Sequence, residues 1–121
     1  MSEIARLVTN KRRGRAVSYN GVLYIGGQTA SDKSEGICGQ MRETLAKIDH
    51  ILAEAGSDRS CLLSAQIWLK DIARDFAGMN EIWDGWIDPS SAPARATAQC
   101  HMAVPETLVE VVVTAAVPSR G

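Results

Sequence analysis

An α+β fold, one β-sheet with two helices packed on one of its faces, is what this 121-residue chain predicts. Two observations lead there. The patterns along the chain run β-β-α-β-α-β-β, with a further N-terminal strand expected around Arg6 to Thr9, and two helices can cover only one face of such a sheet. The last strand is nonetheless apolar on both sides, with Leu108, Val112 and Ala116 on one and Val109, Val111, Val113 and Ala115 on the other. Strands that read as near-continuous apolar runs are covered on both faces. A second copy of the chain is therefore expected over the face that the helices leave open.

Each element has its own signal. Ala16 to Tyr19 and Val22 to Ile25 flank Asn20-Gly21, and an Asn-Gly pair between β-prone runs marks a tight hairpin. Gly26-Gly27-Gln28 ends the second strand, where two glycines allow either a bulge or the close approach of a ligand. After the polar loop Ser31 to Gly36, Ile37, Met41, Leu45, Ile48, Leu52 and Ala55 recur at steps of three and four and stop at Gly56, which predicts an amphipathic helix with a glycine end. Cys61 to Leu69 reads as a strand. Phe76, Met79, Trp83 and Trp86 mark a second helix that stops before Asp88-Pro89-Ser90-Ser91, with Trp83 and Trp86 at helical spacing expected in the core or at an interface. Arg95 to Met102 alternates as a strand, with Arg95, Thr97, Gln99 and His101 on one face. Ala96, Ala98, Cys100 and Met102 take the other, so Cys100 is expected in the core. Pro105 breaks this strand, and Thr107 to Val117 forms the last one.

Composition excludes several classes. The length suits one domain, residues 1–121. No apolar stretch approaches the roughly 20 residues of a membrane helix. The N-terminal Met1-Ser2-Glu3-Ile4-Ala5-Arg6 lacks the basic-then-apolar form of a signal peptide, so a cytosolic protein is expected. Cys38, Cys61 and Cys100 are an odd number with no CxxC spacing, and His50 and His101 stand alone. Neither a disulfide framework nor a metal site is expected from them. No glycine-rich phosphate motif points to a nucleotide cofactor. A net charge of −1 gives no global attraction to nucleic acid. Lys11, Arg12, Arg13 and Arg15 cluster around Gly14, which reads either as a solvated loop or as an anion-attracting rim beside a pocket. Only Tyr19 and Tyr24 stand near it for base stacking, so RNA is a weak candidate.

The residues with most chemistry to explain are charged ones in apolar strands. Glu110 sits in the middle of the last strand, and Arg95 opens an earlier one. A buried carboxylate is costly unless a cation, a hydrogen bond or a proton offsets it. Arg95 is the candidate partner, and two such charges facing one cavity suit a small carboxylate substrate. They suit a structural ion pair as well. Thr97 lies on the Arg95 face with no histidine base evident. His101 shares that face but sits six residues on, about 20 Å away at strand rise.

The hairpin ending in Gly27-Gln28, the helix from Ile37 to Ala55, the segment Asp75-Phe76-Ala77-Gly78-Met79-Asn80, and Pro93-Ala94-Arg95 followed by Val109-Glu110-Val111 together resemble the reactive intermediate deaminase superfamily, the RidA-like or YjgF proteins. The resemblance implies a chorismate-mutase-like fold assembled as a homotrimer, with a central barrel and three clefts between subunits. It further implies an enamine or imine deaminase that takes small carboxylated imines of the 2-aminoacrylate-derived type and uses no cofactor. Arg95 would hold the substrate carboxylate and Glu110 would position water or move a proton. Gly27, Thr97 and Arg13 would line the cleft. Three positions depart from the better-known deaminases: Thr97 stands where they carry cysteine, Arg12-Arg13-Gly14 where they often carry tyrosine, and Gly26 where serine is common. These departures leave open a pathway-specific hydrolase of another imine, or a non-catalytic module that binds a small acid. RNA cleavage, attached to some relatives, has only the basic cluster behind it here.

Overall fold

The computed structural model describes residues 3–119. Six strands form one sheet in the order β1-β2-β3-β6-β4-β5. Their ranges are β1 Ala5–Thr9, β2 Gly14–Tyr19, β3 Val22–Gln28, β4 Leu62–Leu69, β5 Ala94–Gln99 and β6 Val109–Ala116. Helices α1, Ile37–Glu54, and α2, Ile72–Trp86, complete the chain order. Every strand pair is antiparallel except β4 with β5, whose parallel pairing requires α2 as its crossover. The last strand in sequence is thus central in space, between β3 and β4, which explains why it is rich in β-branched residues.

Local chemistry accounts for the segment ends. Asn20 and Gly21 adopt φ of 54° and 79°, the left-handed pair that a two-residue hairpin turn requires. Gly56, at φ 80°, closes α1, and Ser57 N–H reaches back to the Leu52 carbonyl at 2.8 Å. The N-terminus of α1 has no side-chain cap at Gly36. Buried Gln40 ties that end down instead, donating to the carbonyls of Glu35 and Glu106 and accepting from Leu108 N–H at 2.9 Å. At α2, Asp71 caps Arg74 N–H at 3.1 Å.

Both helices pack on one face. Ala16, Leu23, Ile25, Ala65, Ile67, Leu69, Val109, Val111, Val113 and Ala115 point toward Met41, Leu45, Ile48 and Leu52 of α1 and Met79 and Trp83 of α2. Glu110, Val112, Thr114 and Ala116 alternate with the buried β6 residues and are half-buried. They share the opposite, helix-free face with Trp68 and with Tyr24, which is 50% exposed.

Two expectations need correction. β5 ends at Gln99 rather than Met102, because its only partner, β4, ends at Leu69. Cys100 consequently leaves the strand and is half-buried outside the core, and His101 is exposed beyond it. Phe76 is in α2, as expected, but outside its buried stripe. It lies about 60° from the Met79 direction at 100° per residue and is 42% exposed. Asp75 takes the buried place instead, held bidentately by Arg74 at 2.9 and 2.8 Å. Among the described residues no helix is long and apolar enough to cross a membrane.

Candidate functional site

The register decides where the two charges stand. Arg95 is paired with Ala65, whose side chain is buried beneath the helices, so Arg95 belongs to the helix face. Glu110 is paired with Trp68, between buried Val109 and Val111, so it belongs to the helix-free face. The two are also three positions apart along the sheet and two strands apart across it, roughly 14 Å between backbones. Among the described residues they form no ion pair. The expected pair facing one cavity is therefore absent within a single chain.

Arg95 is engaged by α2 instead. Its Nη1 donates to Asn80 Oδ1 at 2.7 Å, and its guanidinium carbon lies 5.5 Å from the centre of the Trp83 ring. Thr97 follows on the same face, with its Oγ1 buried and unpaired. Of Gly27, Thr97 and Arg13, Gly27 is the one that stands beside Glu110 among the described residues. A β-bulge between Ile25 and Gln28 sets Gly27 beside β6, and a methyl group added at Gly27 would come within 2.8 Å of the Glu110 carboxyl carbon. A side chain at Gly27 would therefore push the Glu110 carboxyl group from its present place, and of the two readings of the glycine pair the bulge is the one observed. Burial raises the Glu110 pKa, and among the described residues no cation acts against that.

Arg13 lies in the β1–β2 turn, where Asn10 Oδ1 accepts from the Arg12 and Arg13 N–H groups at 2.8 and 2.9 Å. Its side chain is exposed, and among the described residues it forms no ion pair with Glu110. The turn does lie at the same end of the sheet, since the Gly14 carbonyl is near Gly26. Trp68, cross-strand neighbour of Glu110, was not singled out from the sequence. A tryptophan alternating with polar Ser64 and Gln66 was its signal. Two surface cavities, of about 360 and 470 Å³, lie elsewhere: one between α1 and α2 beside Trp86, the other beyond β5 beside His101. Neither includes Arg95, Glu110 or Gly27.

The profile of the family described as Endoribonuclease L-PSP matches residues 4–117. The chain belongs to this family. A RutC family protein of Haemophilus ducreyi is 37% identical to this Endoribonuclease L-PSP family member over 114 residues, covering 94% of this chain and 97% of the relative. The RutC family protein YoaB of Escherichia coli is 37% identical over 94% of this chain and 98% of its own. Among solved structures, NMB1025 of Neisseria meningitidis, a member of the YjgF protein family, superposes with a TM-score of 0.94 at 36% identity, covering 98% of each chain. An uncharacterized protein from Pseudomonas aeruginosa does so with a TM-score of 0.91 at 39% identity, covering 94% of this chain and 98% of the other. The resemblance to RidA-like and YjgF proteins is thereby established as membership, and the mixed six-stranded sheet with two helices is the architecture of that group.

Proposed function

We propose that the protein is a cofactor-independent enamine/imine deaminase that hydrolyses small carboxylated imines in clefts between the subunits of a homotrimer. The observation that carries this reading is the placement of Arg95 and Glu110 on opposite faces of one sheet. A second copy laid against the helix-free face can bring its own Arg95 edge to the first copy's Glu110. That arrangement also covers Val112 and Trp68, which no helix covers.

The chemistry asks for little beyond position. Water adds to the C=N carbon, the nitrogen gains protons, and the carbinolamine C–N bond breaks to leave a 2-oxo acid and ammonia. Arg95 offers a planar fork matched to the substrate carboxylate. Glu110 as carboxylate receives a proton from the attacking water and, as the acid so formed, passes it to the departing nitrogen. Main-chain groups at Gly27 and Thr97 shape the cleft, and Arg13 stands at its rim. A positioned acid or base contributes about 10²–10⁴-fold.

The test is ammonia release from 2-iminopropionate generated in situ. Arg95→Ala should lower kcat/KM by about a hundredfold or more, since a charge-assisted fork is lost, and Glu110→Gln should lower kcat. Full activity in Arg95→Ala would sink the assignment. The unpaired Thr97 hydroxyl, where the better-known deaminases carry cysteine, favours a second reading as a small-acid-binding module. Ligand recovered unchanged after binding would favour it over turnover. The name of the matched family raises RNA cleavage, and neutralising Lys11, Arg12, Arg13 and Arg15 tests its one physical support.

A further inference from the structure

Arg95 stands on an edge strand and is exposed, so its four-bond side chain has considerable freedom to lose. Two residues of α2 restrain it. Asn80 Oδ1 takes a hydrogen bond from Nη1 at 2.7 Å, and Trp83, three residues on and therefore on the same helix face, stands 5.5 Å beneath the guanidinium. Trp83 is itself fixed. It is 5% exposed and rests on Trp86 at 5.5 Å, whose indole N–H donates to Asp49 at 2.9 Å. Arg59 holds the same Asp49 oxygen at 2.9 Å and covers the Trp86 ring at 4.9 Å. The support under Arg95 is thus anchored to α1.

Among the described residues, Nε and Nη2 of Arg95 make no hydrogen bond. These two nitrogens form the side-on fork of a guanidinium, the edge that matches a carboxylate. We propose that Asn80 is a positioning residue: by occupying Nη1 over the Trp83 ring, it turns the Nε–Nη2 edge of Arg95 outward to receive the carboxylate. An amide oxygen is the suitable group for this. An aspartate at the same place would accept equally well but would neutralise the guanidinium and compete with the incoming anion. The inference rests on the carboxylate role of Arg95 proposed above.

The test combines Asn80→Ala and Asn80→Asp, each in the wild-type and Arg95→Ala backgrounds, with oligomeric state and circular dichroism as controls for folding. Two quantities are read: the Kd of pyruvate by calorimetry, and KM and kcat for 2-iminopropionate. Asn80→Ala should raise both Kd and KM about tenfold, with kcat changing less than about threefold, as expected for lost aim rather than lost chemistry. Asn80→Asp should weaken pyruvate at least as much although it keeps the acceptor. In the Arg95→Ala background, Asn80→Ala should change nothing further, because its effect travels through Arg95. Equal losses in both backgrounds, or wild-type behaviour of Asn80→Asp, would overturn the proposal. Should wild type hydrolyse no imine yet bind pyruvate, the deaminase reading fails while the pyruvate cycle still decides the role of Asn80. Failure of wild type to bind pyruvate overturns both.

Discussion

Glu110 owes its properties to what surrounds one carboxyl group: a bare Gly27 backbone on β3, its cross-strand partner Trp68 on β4, and no ion-pair partner among the described residues of the same chain. Within one chain burial raises its pKa, so the sign of its stability effect follows wherever no second copy adds a cation. A group with a folded pKa above its unfolded value contributes stability at low pH and loses it as pH rises through the folded value. Replacing it with neutral, isosteric glutamine removes that loss. In the Arg95→Ala background, where no guanidinium from a neighbouring copy faces the carboxyl group, Glu110→Gln should match its parent in melting temperature at acidic pH and exceed it at neutral pH, with the gap opening across the carboxylate range. Parallel melting curves at every pH would mean that the carboxyl group carries no burial cost. With Arg95 in place, the same substitution should abolish the proton transfer proposed for it. A strained or desolvated group retained against stability is the usual mark of a functional position.

At the scale of elements, Gln40 is the residue through which α1 holds the route into β6. Its amide links the loop before α1, the Glu106 carbonyl and the Leu108 N–H two residues before Glu110. Gln40→Leu would take the buried amide away from those partly buried backbone groups and should cost about 1–3 kcal/mol, read as a lower urea midpoint at unchanged m-value. A change below about 0.5 kcal/mol would show that water takes over the bonds. The contrast with what the sequence makes legible is instructive. Helix α1, its stop at Gly56 and the Asn20-Gly21 hairpin depend on nearest neighbours, and they stand where local pattern puts them. The end of β5 and the burial of Asp75 in place of Phe76 depend on where β4 stops and on an Arg74 contact, neither of which a single segment records. Gly27 and Glu110 were each legible as special, whereas their contact was not, since it needs the β3–β6 pairing across more than eighty residues. The faces of Arg95 and Glu110 were hidden for the same reason. Alternation within a strand gives parity, and only the register between strands says which parity faces the helices.

The whole molecule is where the two halves of the candidate site have to meet. One chain carries Asn80, Arg95 and Thr97 on its helix face at the β5 edge, and Gly27, Trp68 and Glu110 on the opposite face, so the proposed cleft would be closed by two protomers. In a ring with cyclic symmetry each subunit offers its Arg95 side to one neighbour and its Glu110 side to the other. A mixture of two inactive variants then has a definite outcome. Arg95→Ala subunits keep an intact Glu110 side, and Glu110→Gln subunits keep an intact Arg95 side. When the two are unfolded together and refolded at equal amounts, random assembly should give about a quarter of the clefts an intact pair, with activity restored to about that fraction of wild type. The homo-oligomers mixed without exchange should stay inactive, which separates shared clefts from independent ones. If each chain built its site alone, no mixture would recover activity, because every chain in it would carry a damaged residue. Val112→Asp, which sets a charge on the helix-free face away from Arg95, should instead dissociate the assembly and remove activity while leaving the helix-side core intact. Light scattering on that variant tests whether the face that joins the copies is the face that makes the site.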